Sequence, residues 1–418
     1  MNKVYMCIDL KTFFASVECV ERGYDPFLVN LVVADPTRGD GAICLAVSPK
    51  MKAQGVPGRC RIRDIPKDIQ YEVALPKMKK YMEYSSNIYS IYLKYISKDD
   101  IHVYSIDEVF LDVTHYLKLY QVNVKQLAQM ILDDIYKETK ITATVGIGTN
   151  LYLCKVALDI TAKHCADNMG ILTEDIYQKR LWHHQPLTDF WQVGRGIMNR
   201  LIKHGIYDMY DVAHCDEKIL YKEFGVNAEY LIDHAWGREP TTIADIKRYK
   251  PKCNSMSHGQ VLFEDYQYDD ALLAMKEMVE LKALDLVEHH LVTNHISLHI
   301  GYSQNEVKST GGSITITTRT NSSQILIQEF ITLFKRTTQR NKPIRRITIS
   351  FGGVVDEVYE SYDLFTDYEK IEEERKVMQA IVEIRNKYGK NKILKGMNFY
   401  EKATTRKRNQ LVGGHNAE

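Results

Sequence analysis

At the start of the chain, Val4, Met6 and Ile8 alternate with Tyr5, Cys7 and Asp9. A period of two predicts a half-buried strand that delivers a carboxylate at its C-terminal end. Residues 12–21 (TFFASVECVE) contain no breaker and predict a helix, with Thr12 as its cap. Short strands are predicted near 29–34 and 42–47, followed by a short helix opened by Ser48-Pro49. Pro57-Gly58 and Pro66 punctuate a loop, and residues 75–95 read as a long helix with Pro76 near its start. In IHVYSIDEVFLDVT (101–114), two β-rich runs flank Ile106-Asp107-Glu108, which predicts a hairpin with acids at its tip. A helix over 124–139, a strand over 142–148 and a helix over 150–162 complete an α+β domain whose sheet carries acids on one surface.

From about residue 172 the pattern changes to short helices with glycine turns, over 188–206 and 220–237. Lys247, Arg248, Lys250, Pro251 and Lys252 form a basic, breaker-rich stretch that reads as a linker. Residues 254–354 predict a second α+β domain, with strands near 255–262, 293–301, 312–319 and 345–353 and helices near 269–288 and 323–339. A Glu- and Lys-rich helix over 367–387 is expected to be solvated, and the tail from Tyr388 to Glu418 carries no readable chemistry.

Composition narrows the class. The 418 residues include 55 basic and 54 acidic side chains, for a formal charge of +1, with 44% apolar and 26% charged residues. Those values exclude a disordered or low-complexity chain, and the length allows about two to four domains. No apolar run reaches the roughly 18 residues of a membrane span. Asp9 interrupts the first apolar run too early for a signal peptide, so a cytoplasmic protein is expected. The eight cysteines contain no C-x-x-C pair and read as buried, reduced thiols. His295 and His299 fall in a predicted strand and do not read as a helical zinc pair. Most of the 27 tyrosines read as structural. A nucleic-acid partner would need a local basic surface, because the net charge supplies none.

Asp9, Asp107 and Glu108 are the candidate chemistry. Adjacent residues of a regular strand point to opposite faces, so Asp107 and Glu108 converge only where the backbone turns. Converging carboxylates repel unless they hold divalent cations, and hard oxygen ligands suit Mg²⁺. By spacing alone the signal is weak, because acids at strand ends and turns are common and a solvated role is the more frequent one.

The text around these acids is more specific. Asp9-Leu10-Lys11-Thr12-Phe13-Phe14-Ala15-Ser16-Val17-Glu18, then Tyr104-Ser105-Ile106-Asp107-Glu108-Val109-Phe110, resembles the Y-family translesion DNA polymerases. Thr144-Val145-Gly146-Ile147-Gly148-Thr149-Asn150, Lys155-Val156-Ala157 and Ala162-Lys163 follow in that family's order. The resemblance spans roughly 1–365 and is closest to the bacterial UmuC-like branch. It implies an α+β multidomain right-hand polymerase. Residues 1–11 and 75–168 would form the palm, 12–74 small fingers, and 169–241 a helical thumb with a helix–hairpin–helix. Residues 242–250 would be a linker, 251–355 an α+β little-finger domain that binds DNA, and 356–418 a clamp-binding-like peptide, charged helix and tail.

The resemblance also implies roles. Asp9, Asp107 and Glu108 would ligate two Mg²⁺ ions, with the backbone carbonyl of Leu10 on the nucleotide side. The reaction would be attack of a primer 3′-hydroxyl on the α-phosphate of a dNTP, with pyrophosphate leaving. Phe14 would be the steric gate against a 2′-hydroxyl, beside Phe13; from spacing alone both could be core aromatics. Lys52 and Lys163 would bind the triphosphate. Lys52 stands for a family arginine, Pro49 replaces a tyrosine, and a lysine offers a point charge where arginine offers a fork. Lys11 occupies a position where many relatives carry an aspartate; it reads as a phosphate contact or a solvated lysine.

Gly194 and Gly196 resemble the turn of a helix–hairpin–helix that meets a DNA phosphate. Between Lys308 and Arg346 there are eight basic residues, among them Arg319, Arg336 and Arg345, against the single acid Glu329. That bias suits a phosphate-tracking surface. Glu360-Ser361-Tyr362-Asp363-Leu364-Phe365 resembles a sliding-clamp peptide with Leu364 and Phe365 as anchors, although Ser361 replaces the usual glutamine. Implied partners are primer–template DNA, dNTPs, a sliding clamp and SOS accessory proteins, with no membrane. Two other readings stay open. One is a non-catalytic DNA- and clamp-binding protein on the same scaffold. The other is a different two-metal nucleotidyl cyclase or transferase.

Overall fold

The computed structural model describes residues 3–418 apart from 252–253, 304–306, 363 and 365. It divides into two units, Met1–Tyr249 (with Glu418) and Lys250–Ala417.

The first unit opens with β1 (Tyr5–Leu10) and α1 (Phe13–Glu21), then β2 (Leu31–Val33), β3 (Ala46–Val47), α2 (Pro49–Ala53) and β4 (Glu72–Ala74). Next come α3 (Met78–Tyr95), β5 (Ile101–Val103), β6 (Glu108–Asp112), α4 (Tyr116–Tyr120), α5 (Val124–Thr139), β7 (Ala143–Gly148), α6 (Leu151–Val156) and β8 (Met169–Leu172). Short helices complete it: α7 (Glu174–Leu181), α8 (Arg195–Ile202), α9 (Met209–His214), α10 (Glu217–Phe224), α11 (Ala228–Ala235) and α12 (Ile243–Arg248). A five-stranded sheet has the order β5-β6-β1-β7-β8, and a small sheet has the order β3-β2-β4.

Both faces of β1 are covered, so the half-buried strand expected from its alternation is in fact a central one. Met6, Ile8 and Leu10 pack with Leu127, Ile131 and Ile135 of α5 and with Ile88 and Ile91 of α3. Helix α5 presents these apolar residues at one-turn spacing, and Asn123 and Gln126 close a capping box at its start. On the other face, Tyr5, Cys7 and Phe110 pack with Leu151, Cys154 and Leu158. That approach is backbone on backbone. A Cβ on Gly146 would lie 2.0 Å from the carbonyl oxygen of Cys154, and one on Gly148 would lie 2.3 Å from the Cys154 nitrogen. These glycines let α6 lie flat on the sheet beside β1.

Several local expectations change. Thr12 adopts φ 46° and makes no side-chain cap; its hydroxyl lies 3.0 Å from that of Ser16 instead. Ser48 does cap its helix, accepting from Met51 N–H. The helix expected over 150–162 is α-helical to Val156 and then widens into a π turn over Ala157–Thr161. The supposed linker is partly helical as α12. Cys7, Cys19, Cys44, Cys60 and Cys154 are buried, but Cys165 is exposed and Cys215 half-buried; Cys253 lies outside the described residues.

The second unit contains β9 (Asn254–Tyr266), α13 (Tyr268–Glu288), β10 (Leu291–Tyr302), β11 (Thr310–Thr320), α14 (Ser323–Thr337) and β12 (Ile344–Asp356). It ends with α15 (Tyr368–Tyr388), α16 (Thr405–Arg408) and the hairpin β13 (Leu411–Val412) and β14 (His415–Asn416). Its sheet order is β11-β10-β12-β9. Ile296, Leu298, Ile300, Ile347, Ile349 and Phe351 face α13 and α14 in one core. Each fully buried aliphatic or aromatic side chain there contributes about 1.5–3 kcal/mol. Helix α15 is not simply solvated: Ile371 and Met378 are buried, and Met378 belongs to this core. Among the described residues, no helix is long and apolar enough to cross a membrane.

Candidate active site

Strands β1 and β6 pair antiparallel with Asp9 opposite Glu108. Directly paired residues share a face, so both carboxylates lie on the α6 side of the sheet. Asp107 sits at the tip of the β5–β6 hairpin. Its carbonyl accepts Leu10 N–H at 3.0 Å, and its Oδ1 accepts the Ser105 hydroxyl at 2.6 Å. The turn therefore brings Asp107 beside Asp9, as the hairpin reading requires.

Charge in this corner is tightly arranged. Burial first, then the charges of Asp107 and Glu108, push the Asp9 carboxyl up to about 7, against the pull of Lys163 and Lys155. Glu108 is anchored: its Oε1 lies 2.7 Å from Lys155 Nζ and accepts from Cys7 Sγ at 3.1 Å. Lys155 also meets Asp159 at 2.9 Å, and Asp159 meets Lys163 at 3.0 Å. The result is a line of alternating charge, Glu108, Lys155, Asp159, Lys163. In the sequence, Lys155 reads only as part of a motif, without a role, and Asp159 does not stand out. Their four-residue spacing along one helical face, Lys155–Asp159–Lys163, was the available signal.

Lys52 belongs to the same field. Burial lowers its ammonium, while Asp9 raises it and Lys163 lowers it. Gly58 leaves room for the Lys52 stem, which would lie 3.2 Å from a Cβ there. Lys11 is neither free nor fully solvated; its ammonium bonds Asn168 Oδ1. The two phenylalanines separate. Phe13 is buried in the core, whereas Phe14 is half-buried at its edge with its ring stacked on Tyr81 at 4.5 Å. Tyr81 is fixed in turn by a 2.9 Å bond to the buried Glu18.

Among the described residues, no three His, Cys, Asp or Glu side chains stand as a ready-made ion cage; Glu108 is turned onto Lys155 and Cys7. The donor set nevertheless fits a hard divalent cation. Asp9 is a half-buried carboxylate whose ionisation is opposed by desolvation and by the charges of Asp107 and Glu108, and a cation would offset both.

The proposed DNA-contact residues are dispersed. Gly194 caps α8, and both Gly194 and Gly196 open onto free space. In the second unit, Arg346 shares the sheet face away from the helices with Ser257, Ser297, Ser313, Thr348 and Ser350. Arg345 pairs with Asp265 at 3.4 Å, and Lys308 is an exposed residue ahead of β11. The backbone of Arg319 pairs with Ser361 at the β11 edge. Arg336 lies in the last turn of α14, in the helical layer. The eight basic residues thus do not gather on one face. Leu364 is 99% exposed, and Phe365 lies outside the described residues.

Comparison with known proteins agrees with this architecture. The impB/mucB/samB family profile matches residues 8–159, and the profile of that family's C-terminal domain matches 254–364. The "Putative UV-damage repair protein UvrX" of Bacillus subtilis (strain 168) is 30% identical over 99% of this chain and 98% of its own length. "DNA polymerase IV 2" of Halalkalibacterium halodurans is 28% identical over 99% of this chain and all of its own (100%). A solved "Y-family DNA polymerase chimera Dbh-Dpo4(243-245)-Dbh" shares the fold, with a TM-score of 0.63, 20% identity, and coverage of 84% of this chain and 99% of that one. With both family profiles in order and a relative matched along nearly its full length, the chain belongs to the impB/mucB/samB family, the Y-family DNA polymerases.

Proposed function

We propose that the chain is an active, template-directed DNA polymerase of the translesion type, extending a primer from dNTPs opposite damaged bases. The observation that carries this reading is Asp9 paired across the sheet with Glu108, beside Asp107, with Lys52 and Lys163 in the same electrostatic field.

Asp9, Asp107, Glu108 and the Leu10 carbonyl would hold divalent metal, Mg²⁺ by donor chemistry. When bound, such ions activate the primer hydroxyl and neutralise the triphosphate. The chain's own groups do the positioning. Lys155 fixes the Glu108 carboxylate. Lys163 exchanges its Asp159 partner for phosphate oxygens, and Lys52 approaches from the small fingers. Phe14, backed by Tyr81, presents a flat ring where a ribose 2′-hydroxyl would project, with Phe13 anchoring the turn from the core. Residues 1–11 and 75–168 serve as palm, 12–74 as fingers, 169–241 as thumb and 251–355 as little finger.

Gly194 and Gly196 free the first amides of α8 for a backbone phosphate. Arg346, with Lys308, Arg319, Arg336 and Arg345 around the second unit, supplies sequence-independent attraction to DNA. The exposed Leu364 supports a sliding-clamp contact; clamp-stimulated extension that persists in Leu364→Ala would remove that part of the reading. Primer extension past an abasic site with Mg²⁺ tests the whole. Extension that disappears in Asp107→Asn is expected, and a wild-type chain that binds primed DNA without lengthening it favours the non-catalytic alternative.

A further inference from the structure

The carboxy-terminal segment, which lies beyond both family profiles, carries a feature that catalysis does not use. From Arg385 to Arg408 there are nine basic residues and a single acid, Glu401. This stretch is built onto the second unit, not trailing from it. Glu277 of α13 is fully buried and accepts from Asn398 Nδ2 at 2.8 Å, Thr404 N–H at 2.6 Å, Thr404 Oγ1 at 3.0 Å and Thr405 N–H at 3.3 Å. Asn391 donates to the Arg406 carbonyl at 3.0 Å, and Asn409 donates to the Lys390 carbonyl at 3.3 Å. These bonds draw the end of α15 alongside α16.

The surface so formed mixes cations with open rings. Lys395 pairs with Glu280, Lys402 pairs with Glu264, Arg408 is turned onto His258, and Arg385 lies in the field of Asp285, Glu280 and Glu288. Among the described residues, no carboxylate pairs with Lys387, Lys390, Lys392, Arg406 or Lys407. Phe399 and Tyr400 are 63% and 67% exposed, and the Arg406 guanidinium lies 5.3 Å from the Phe399 ring centre. Uncompensated cations beside exposed aromatic faces match the chemistry of an unpaired nucleic-acid strand, with phosphates on the cations and bases on the rings. A duplex hides its base faces and gains nothing from the rings.

We propose that this carboxy-terminal patch is a second nucleic-acid surface that takes single-stranded DNA. It meets the unit through α13 and through the strand β9, whose Phe263 ring lies 4.0 Å from the Lys407 ammonium, whereas Arg346 shares the open sheet face with its serine and threonine neighbours. The two surfaces are made by different residues, so each can be tested by itself. The proposal concerns binding and stands whether or not the chain polymerises.

Fluorescence anisotropy of the full-length chain with labelled dT25 tests it, with a blunt 25-base-pair duplex as the second arm. The charge-reversed variant Lys390→Glu/Lys392→Glu/Lys407→Glu should bind dT25 at least tenfold more weakly. Its salt dependence should flatten by about 2 in log–log slope, at roughly 0.7 for each phosphate that is no longer neutralised. Phe399→Ala/Tyr400→Ala should lose at least about thirtyfold on dT25 with an unchanged slope, two missing stacks being worth about 1 kcal/mol or more each. Both variants should bind the duplex as the parent does and keep its circular-dichroism melting curve. Parental dT25 affinity in both variants overturns the proposal. Equal losses on dT25 and duplex overturn it too, as does a loss confined to the charge-reversed variant.

Discussion

The Lys155 ammonium sits 2.7 Å from the Glu108 carboxylate, and both side chains are about nine-tenths buried. Lys155 reaches this position because glycines in β7 let α6 lie against the sheet. Removing one partner of a buried ion pair leaves an uncompensated charge and costs about 3–5 kcal/mol. Lys155→Met should therefore lower the unfolding free energy by about 3 kcal/mol in a urea titration. It should also lower kcat for primer extension by at least about tenfold, roughly what one misplaced metal-site support costs. Parental kcat in a folded Lys155→Met chain would show that Glu108 needs no such support.

Asp9 gives a pH prediction. Its folded carboxyl titrates near 7, above the unfolded value near 3.8. The folded state therefore binds this proton more tightly than the unfolded chain. The associated stability is fully present below the unfolded value and is lost as pH rises through about 7. Asp9→Asn removes that dependence. In EDTA, the Tm of the variant should gain on that of the parent between about pH 4 and pH 7 and level off above that. A constant offset across the range would show that Asp9 is not the group responsible.

The gate role proposed for Phe14 is separable from folding, because its ring lies at the core edge while Phe13 fills the core. Phe14→Ala should raise the ratio of ribonucleotide to deoxyribonucleotide incorporation by about a hundredfold, the loss of roughly 2.7 kcal/mol of discrimination. Single-nucleotide insertion kinetics with dCTP and CTP read it directly. An unchanged ratio would return Phe14 to the core aromatics.

The tail supplies a stability prediction. Glu277→Ala strands the donors on Asn398, Thr404 and Thr405, and each buried unsatisfied group costs about 1–3 kcal/mol. Limited proteolysis should then cut between 389 and 404 far faster than in the parent, with the Tm reduced. Equal cutting rates would mean that Glu277 does not hold the tail.

Much of this was legible from the sequence. The alternation of β1, the hairpin around Asp107 and the long strands of the second unit all announce themselves through period and turn chemistry. Strands β4 and β8 were not read, because three or four residues carry no usable period. The covering of both faces of β1 was missed because Tyr5 and Cys7 are amphipathic or ambiguous by type. Lys155 looked like one lysine of a motif; only the sheet register sets Glu108 within its reach. The tail was illegible for a similar reason, since its latch, Glu277, lies more than a hundred residues earlier in the chain. The scatter of the basic residues between Lys308 and Arg346 was also hidden, because a charge count does not say which of them a sheet and a helix turn apart.

Whether Asp9, Asp107 and Glu108 carry the chemistry is decided by single-turnover primer extension with Mg²⁺, run on the parent chain and on Asp9→Asn, Asp107→Asn and Glu108→Gln. Each protein is first confirmed to bind primed DNA. The expected result is extension by the parent and a loss of at least about a thousandfold, some 4 kcal/mol of transition-state stabilisation, in each variant. Parental rates in any of the three, or no extension by a parent that binds the primed strand, would refute the assignment.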